Sequence, residues 1–145
     1  MRRGVTLVEL LVVLAILAIL AAIVVPGSAA SADRIAVEHQ ATRIVVAYRS
    51  AWLTARSHQC LALLRVTSDS IAIRTVRGAG EPDTVLVSLI PGPAAAGVSL
   101  QSPPHTAVFG PDGVGIGVAN TTHVLVKGAA SRKVVVSRLG RVRIG

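Results

Sequence analysis

The sequence is poor in several things that usually announce a chemistry. It has one cysteine, Cys60, among 145 residues, so no intrachain disulfide can form. A lone thiol between Gln59 and Leu61 reads as a small buried hydrophobe rather than a nucleophile. Aromatic residues make up 2% of the chain, and that scarcity argues against a base-stacking platform for nucleic acid. Acidic residues are also few: seven against fifteen basic ones, a formal net charge of +8. The basic residues are almost all arginine, which forks onto carboxylates and phosphates better than lysine does. Acidic surfaces, anionic lipid and nucleic acid are therefore partners to consider, beside the plainer reading that charge keeps a Val-rich domain soluble. His39, His58, His105 and His123 lack metal-ligand spacing. Gly113, Gly115 and Gly117 alternate but lack the trailing Gly and the Lys-Ser/Thr of a phosphate loop. No Ser-His-Asp arrangement follows from the spacing and no internal repeat is present. The sequence thus points to no cofactor, no metal and no catalytic centre.

What the chain does have is one long apolar block. After Met1-Arg2-Arg3-Gly4 comes Val5-Thr6-Leu7-Val8-Glu9, and from Leu10 to Val25 no side chain is polar or charged. Val5 to Val25 is long enough to cross a bilayer, which takes about 20 helical residues. Arg2 and Arg3 in front of it predict a cytoplasmic N-terminus, with the remainder on the outer side of that membrane. Glu9 is the odd residue, because an ionisable group at the entry of an apolar helix wants a partner. In an assembly, that carboxylate could meet the amine of a neighbouring subunit cut before Val5. An ordinary secretory signal has a shorter apolar core, and Ala-x-Ala-like sites do follow near Gly27-Ser28-Ala29. A simple membrane anchor accounts for the length but not for Gly4 or Glu9.

Gly4 followed by Val-Thr-Leu-Val-Glu-Leu resembles the N-terminal signal of type IV prepilins and type II secretion pseudopilins. The resemblance implies cleavage between Gly4 and Val5 by a prepilin peptidase, N-methylation of Val5, and an assembly role for Glu9. Val5 stands where that family more often has Phe. The C-terminal third carries a second likeness: Phe109-Gly-Pro-Asp-Gly113, Arg132-Lys-Val-Val-Val-Ser137 and Gly140-Arg-Val-Arg143 look like the GspH/FimT group of minor pilins and pseudopilins. Together these imply an α+β, pilin-like fold, with a long N-terminal helix packed on an antiparallel β-sheet domain. They also imply single-pass anchoring in the inner membrane with the domain on the periplasmic side.

The expected organisation is a leader at 1–4, a transmembrane and assembly helix at 5–26, an amphipathic half of the helix at 27–60, and a β-rich domain at 61–145. Pro26 marks a bend, and Asp33 has the character of a helix cap. Ile44, Tyr48 and Trp52 follow one another at helical spacing and share a face suited to packing on a sheet, with Ile35 and Val45 adding apolar surface. From Leu61 onward, short β-like runs alternate with breaks such as Pro91-Gly-Pro93 and Gly110-Pro-Asp-Gly113. Expected strands include Leu61–Thr67, Ser70–Arg77, Thr84–Ile90, Lys133–Ser137 and Arg141–Ile144.

Between Lys127 and Gly145 lie six basic residues, Lys127, Arg132, Lys133, Arg138, Arg141 and Arg143, and no acidic one. In a strand over Arg141–Ile144, Val142 and Ile144 turn inward. Arg141 and Arg143 then turn outward, roughly 6.5–7 Å apart, close to the phosphate repeat of a nucleic-acid strand. Arg132, Lys133, Arg138, Arg141 and Arg143 are therefore candidates for gripping double-stranded DNA by its backbone, as the resemblance to DNA-binding FimT-type members also implies. The plainer reading is a charged sheet edge that discourages strand pairing, or a contact to acidic patches on neighbouring pilins. The function expected is a non-enzymatic subunit of a type IV pilus or type II secretion pseudopilus. Its partners are other pilins or pseudopilins, the prepilin peptidase, membrane lipid, and either DNA or exported proteins. The runner-up is a membrane-anchored periplasmic protein with no filament role.

Overall fold

The structure, a computed structural model, describes residues 6–77, 83–116, 120–137 and 140–145; the side chains of residues 23–28, 77, 83 and 84 lie outside the description. One helix, α1 (Leu7–Ser57), dominates the first part of the chain. At 51 residues it is about 76 Å long. It runs through Pro26 without interruption. Proline lacks the N–H that would bond four residues back, and the carbonyl of Ala22 loses that partner. Asp33 is not a cap. It lies inside α1, and its carboxylate is 3.8 Å from Lys127 Nζ.

The two halves of α1 meet different surroundings. From Leu7 to Leu20 every large apolar side chain is about half exposed or more, between 48% and 75%. Further along, Val37, Ala41, Ile44, Tyr48, Ala51 and Ala55 are buried. Their alternating steps of four and three keep them on one stripe. The alanines let the sheets approach closely. Ile44 and Tyr48 lie in the core, and Trp52 packs against it; Ile35 points away and is 70% exposed. The helix stops where Gln59 takes a left-handed conformation (φ 49°) and donates its side-chain amide to the Arg56 carbonyl at 2.8 Å.

Among the described residues nine strands follow, all paired antiparallel. They are β1 (Leu61–Val66), β2 (Ser70–Arg77), β3 (Asp83–Pro91), β4 (Ser99–Leu100), β5 (His105–Phe109), β6 (Gly115–Ile116), β7 (Thr121–Lys127), β8 (Ala130–Val136) and β9 (Val142–Ile144). A short 3-10 turn at Pro93–Ala96 follows the Pro91-Gly-Pro93 break. The strands form two sheets rather than one, ordered β3-β2-β1-β5-β6 and β4-β7-β8-β9. Alternate residues face α1: Ala62, Leu64 and Val66 from β1, Ala107 and Phe109 from β5, Leu125 from β7, and Val134 and Val136 from β8.

The core also holds a polar joint. His123, fully buried on β7, shares a hydrogen bond of 2.9 Å with the Tyr48 hydroxyl of α1 and one of 3.3 Å with Ser102 Oγ. Its ring lies 6.1 Å from that of His105 on β5, which is itself bonded to Thr121 Oγ1 at 3.2 Å. Helix and both sheets thus meet at one cluster of hydrogen bonds and ring contacts. Burial lowers His123 from 6.5 to about 4, with His105 adding to the effect. Burial also lowers His105 and raises the Tyr48 phenol.

The consequence for stability has a definite sign. Between pH 6.5 and about 4 the unfolded chain binds a proton at His123 that the native chain refuses, so stability falls as pH drops through that window. The loss should total about 3 kcal/mol. Urea unfolding of the full chain in detergent at neutral pH and at the acid end of the window should show this drop, and His123→Gln should flatten it.

Candidate functional site

Two regions carry the candidate functional side chains: the start of α1 and the outer face of the second sheet. Gly4 and Val5 lie outside the described residues. Glu9 lies in the first turn of α1, and its backbone N–H donates to Thr6 Oγ1 at 3.2 Å, which caps the helix. Thr6-x-x-Glu9 is the pattern of a capping box, a signal in the sequence that assigns Thr6 a role beside Glu9. Among the described residues, no helix is long and apolar enough to cross a membrane. The exposed apolar stretch Leu7–Ala22 continues into residues 23–28, whose side chains are not described.

The second region is built by the register of β7, β8 and β9. Val134 and Val136 are buried beneath the sheet, so Lys133 and Val135 face outward. Val135 stands opposite Arg143, and Ser137 opposite Arg141, whose carbonyl accepts from Ser137 N at 2.8 Å. Lys133, Arg141 and Arg143 therefore share one exposed face. A shallow groove of about 460 Å³ lies among Val135, Ser137, Arg141 and Arg143. None of these three cations has an ion pair among the described residues. Arg141 precedes β9 rather than belonging to it. Val142 packs on the core as the alternation requires. Ile144 departs from that expectation: it pairs with buried Val134 but is 38% exposed, because β9 is the sheet's edge and is only partly covered.

The remaining basic residues do not join this face. Arg132 has the opposite parity and donates through Nε to Glu38 Oε2 of α1 at 2.7 Å. Lys127 Nζ donates to the Ala96 carbonyl at 3.0 Å and approaches Asp33. Arg138 lies outside the described residues. His39 and His58 are exposed and apart from His105 and His123, and no cluster of metal-ligating side chains occurs among the described residues.

The two C-terminal motif fragments meet in space. The Gly110–Gly113 turn closes through Gly113 N to the Gly110 carbonyl (2.9 Å) and Asp112 Oδ1 accepting from Val114 N (3.0 Å). It docks on the end of α1, where Trp52 Nε1 donates to the Gly113 carbonyl at 3.0 Å and Arg56 stacks over the indole at 5.2 Å. Gly140 (φ +74°) closes the β8–β9 hairpin beside the Phe109 ring.

Residues 1–25 match the prokaryotic N-terminal methylation motif. The fold matches two crystal structures of the type IV minor pilin FimU of Pseudomonas aeruginosa PAO1. One, in space group P21, gives a TM-score of 0.60 at 16% identity, covering 75% of this chain and 87% of that one. The other, in space group P65, gives 0.56 at 14% identity, covering 74% and 91%. No curated protein matches the chain in sequence.

Gly113 has φ +81°, and a Cβ there would sit 2.7 Å from Trp52 Nε1. Gly113→Ala should therefore cost about 2 kcal/mol. The fluorescence of Trp52, the single tryptophan, should shift as the turn lifts. Denaturant unfolding of the full chain followed by that fluorescence checks both effects.

Proposed function

We propose that this chain, type IV pilin-like in its N-terminal motif and its fold, is a structural, non-catalytic minor subunit of a type IV pilus. The observation that carries the reading is α1 itself. The segment bearing the methylation motif exposes its described large apolar side chains, Leu7 to Leu20, and the same helix continues as the spine of a pilin-like domain. Lipid covers the exposed half before assembly, and neighbouring helices cover it afterward. Arg2 and Arg3 hold the N-terminus on the cytoplasmic side, so the domain stands outside the inner membrane. Prepilin peptidase cuts between Gly4 and Val5, and Val5 receives the methyl group. Glu9, inside an apolar bundle, takes the charged amine of a neighbour's Val5 and so avoids unpaired burial.

In cells that contain a prepilin peptidase, the mature chain should begin at Val5 and carry one added methyl group, read by mass spectrometry of the N-terminal peptide. Gly4→Val should leave it uncut. Glu9→Ala should be cut but lost from sheared filaments. A chain that stays uncut and is indifferent to Glu9→Ala is a simple membrane-anchored protein, and the pilus reading fails.

A second reading rests on Lys133, Arg141 and Arg143 sharing one outward face without an ion pair. This face grips the phosphates of double-stranded DNA, independent of sequence. Three phosphate contacts imply that log affinity falls with log salt at a slope of about −2.7. Titrating the full chain with duplex DNA at several salt concentrations measures it. Arg141→Ala with Arg143→Ala should weaken binding and flatten the slope by about two contacts. Arg132→Ala, whose side chain is held by Glu38, should change neither. Affinity unchanged in the double variant ends the DNA reading and leaves the pilus reading untouched.

A further inference from the structure

The two sheets have four edges, and three are blunted. Among the described residues β4 and β6 are two residues long and β9 is three, flanked by Arg141 and carrying Arg143. The fourth edge, β3, spans nine residues, and between Asp83 and Pro91 it has no charge and no proline. Protein sheets normally protect such an edge with shortness, lysine, proline, a bulge or a covering element, and β3 has only the bulge. Here nothing among the described residues pairs with it. Val85, Leu86, Val87 and Leu89 are 46–60% exposed. A bulge opposite Ile73 and Arg74 makes Val87 the extra residue of the strand.

The space between this end of the sheet and α1 is open, and Ile71 and Ile73 of β2 form part of its wall. A cleft of about 570 Å³ runs between α1 and β3, lined by Val46, His39 and Arg43 of the helix and by Val87, Ser88 and Ile90 of the strand. Val46 is 52% exposed because the sheet stops short of covering it. One end of the cleft is charged. Arg43 donates through Nη2 to the Pro91 carbonyl at 2.9 Å and through Nη1 to Gln40 Oε1 at 3.1 Å. No carboxylate among the described residues lines the cleft, so Arg43 meets no counter-charge among them there.

We infer that β3 is the acceptor edge for an extended strand supplied by another protein, with apolar side chains on alternate residues and a carboxylate at the end that meets Arg43. Main-chain hydrogen bonds to β3 supply affinity, and the inward side chains fill the cleft over Val46. The carboxylate supplies polarity, because only one direction of the strand brings it to Arg43. This surface is separate from the apolar half of α1 and from the basic face, and it does not depend on either functional reading.

The test uses the full chain in detergent micelles and a capped synthetic peptide of alternating valine and threonine. An aspartate stands at the peptide's N-terminus, where an antiparallel strand meets Pro91. Excess peptide should slow amide hydrogen exchange in Val85–Leu89 by about tenfold while β1 is unchanged. Replacing the peptide's aspartate by asparagine should weaken that protection. Val87→Lys with Leu89→Lys should abolish it, with circular dichroism unchanged. No slowing at millimolar peptide overturns the inference, as does slowing that survives the lysine variant. Slowing that appears without peptide and grows with protein concentration also overturns it, assigning the edge to copies of this chain.

Discussion

One stripe of small and aliphatic residues along α1, from Val37 to Ala55, holds the domain together. Both sheets pack on it, and among the described residues neither sheet has another layer to bury its inner face. Alanine at positions 41, 47, 51 and 55 brings the strands close, while Ile44 and Tyr48 fill the space between. A larger side chain at any of these alanines would push a whole sheet outward, because interiors are packed at near-crystalline density and have little room to yield. The Trp52 dock, the hairpin tip beside Phe109 and the exposed cations of β8 and β9 are all placed by this packing.

The His123–Tyr48 bond solves a problem the apolar stripe creates. An all-aliphatic contact between one helix and two separate sheets specifies no unique rotation of either sheet. A buried donor–acceptor pair is satisfied at one setting and costly at others. Ser102 and the neighbouring His105 extend the constraint to the first sheet, so the cluster fixes the angle between the layers as well as their contact.

Local features were the most legible in the sequence. The Ile44–Tyr48–Trp52 spacing locates the buried face of α1, and Ser70–Arg77 is a strand with those bounds. The positive φ of Gly113 follows from Gly110-Pro-Asp-Gly113. Long-range pairing was less legible. Nothing local separates nine similar strands into two sheets, since that depends on which distant strands meet. Asp33 resembles a cap by residue type, yet its partner Lys127 comes from the far end of the chain. For the candidate site, the run of cations was plain, but its division was not. Arg132 and Lys133 are adjacent, so a strand puts them on opposite faces, and only the buried positions of Val134 and Val136 show which side is out. Pro26 sits inside α1, because a long helix can absorb one missing hydrogen bond where a short one would end.

That unbroken helix has a mechanical meaning. A pull on the N-terminal half travels along the axis of α1 and reaches the domain as shear across every turn from Val37 to Ala55 at once. Strands lying across a rod and loaded this way share the force and let go together. Had the helix ended at residue 26 and rejoined through a loop, the same pull would have peeled the domain from one end, one contact at a time. Cooperative shear makes the attachment strong against steady tension along the rod, and weak only against a force that twists the sheets about it.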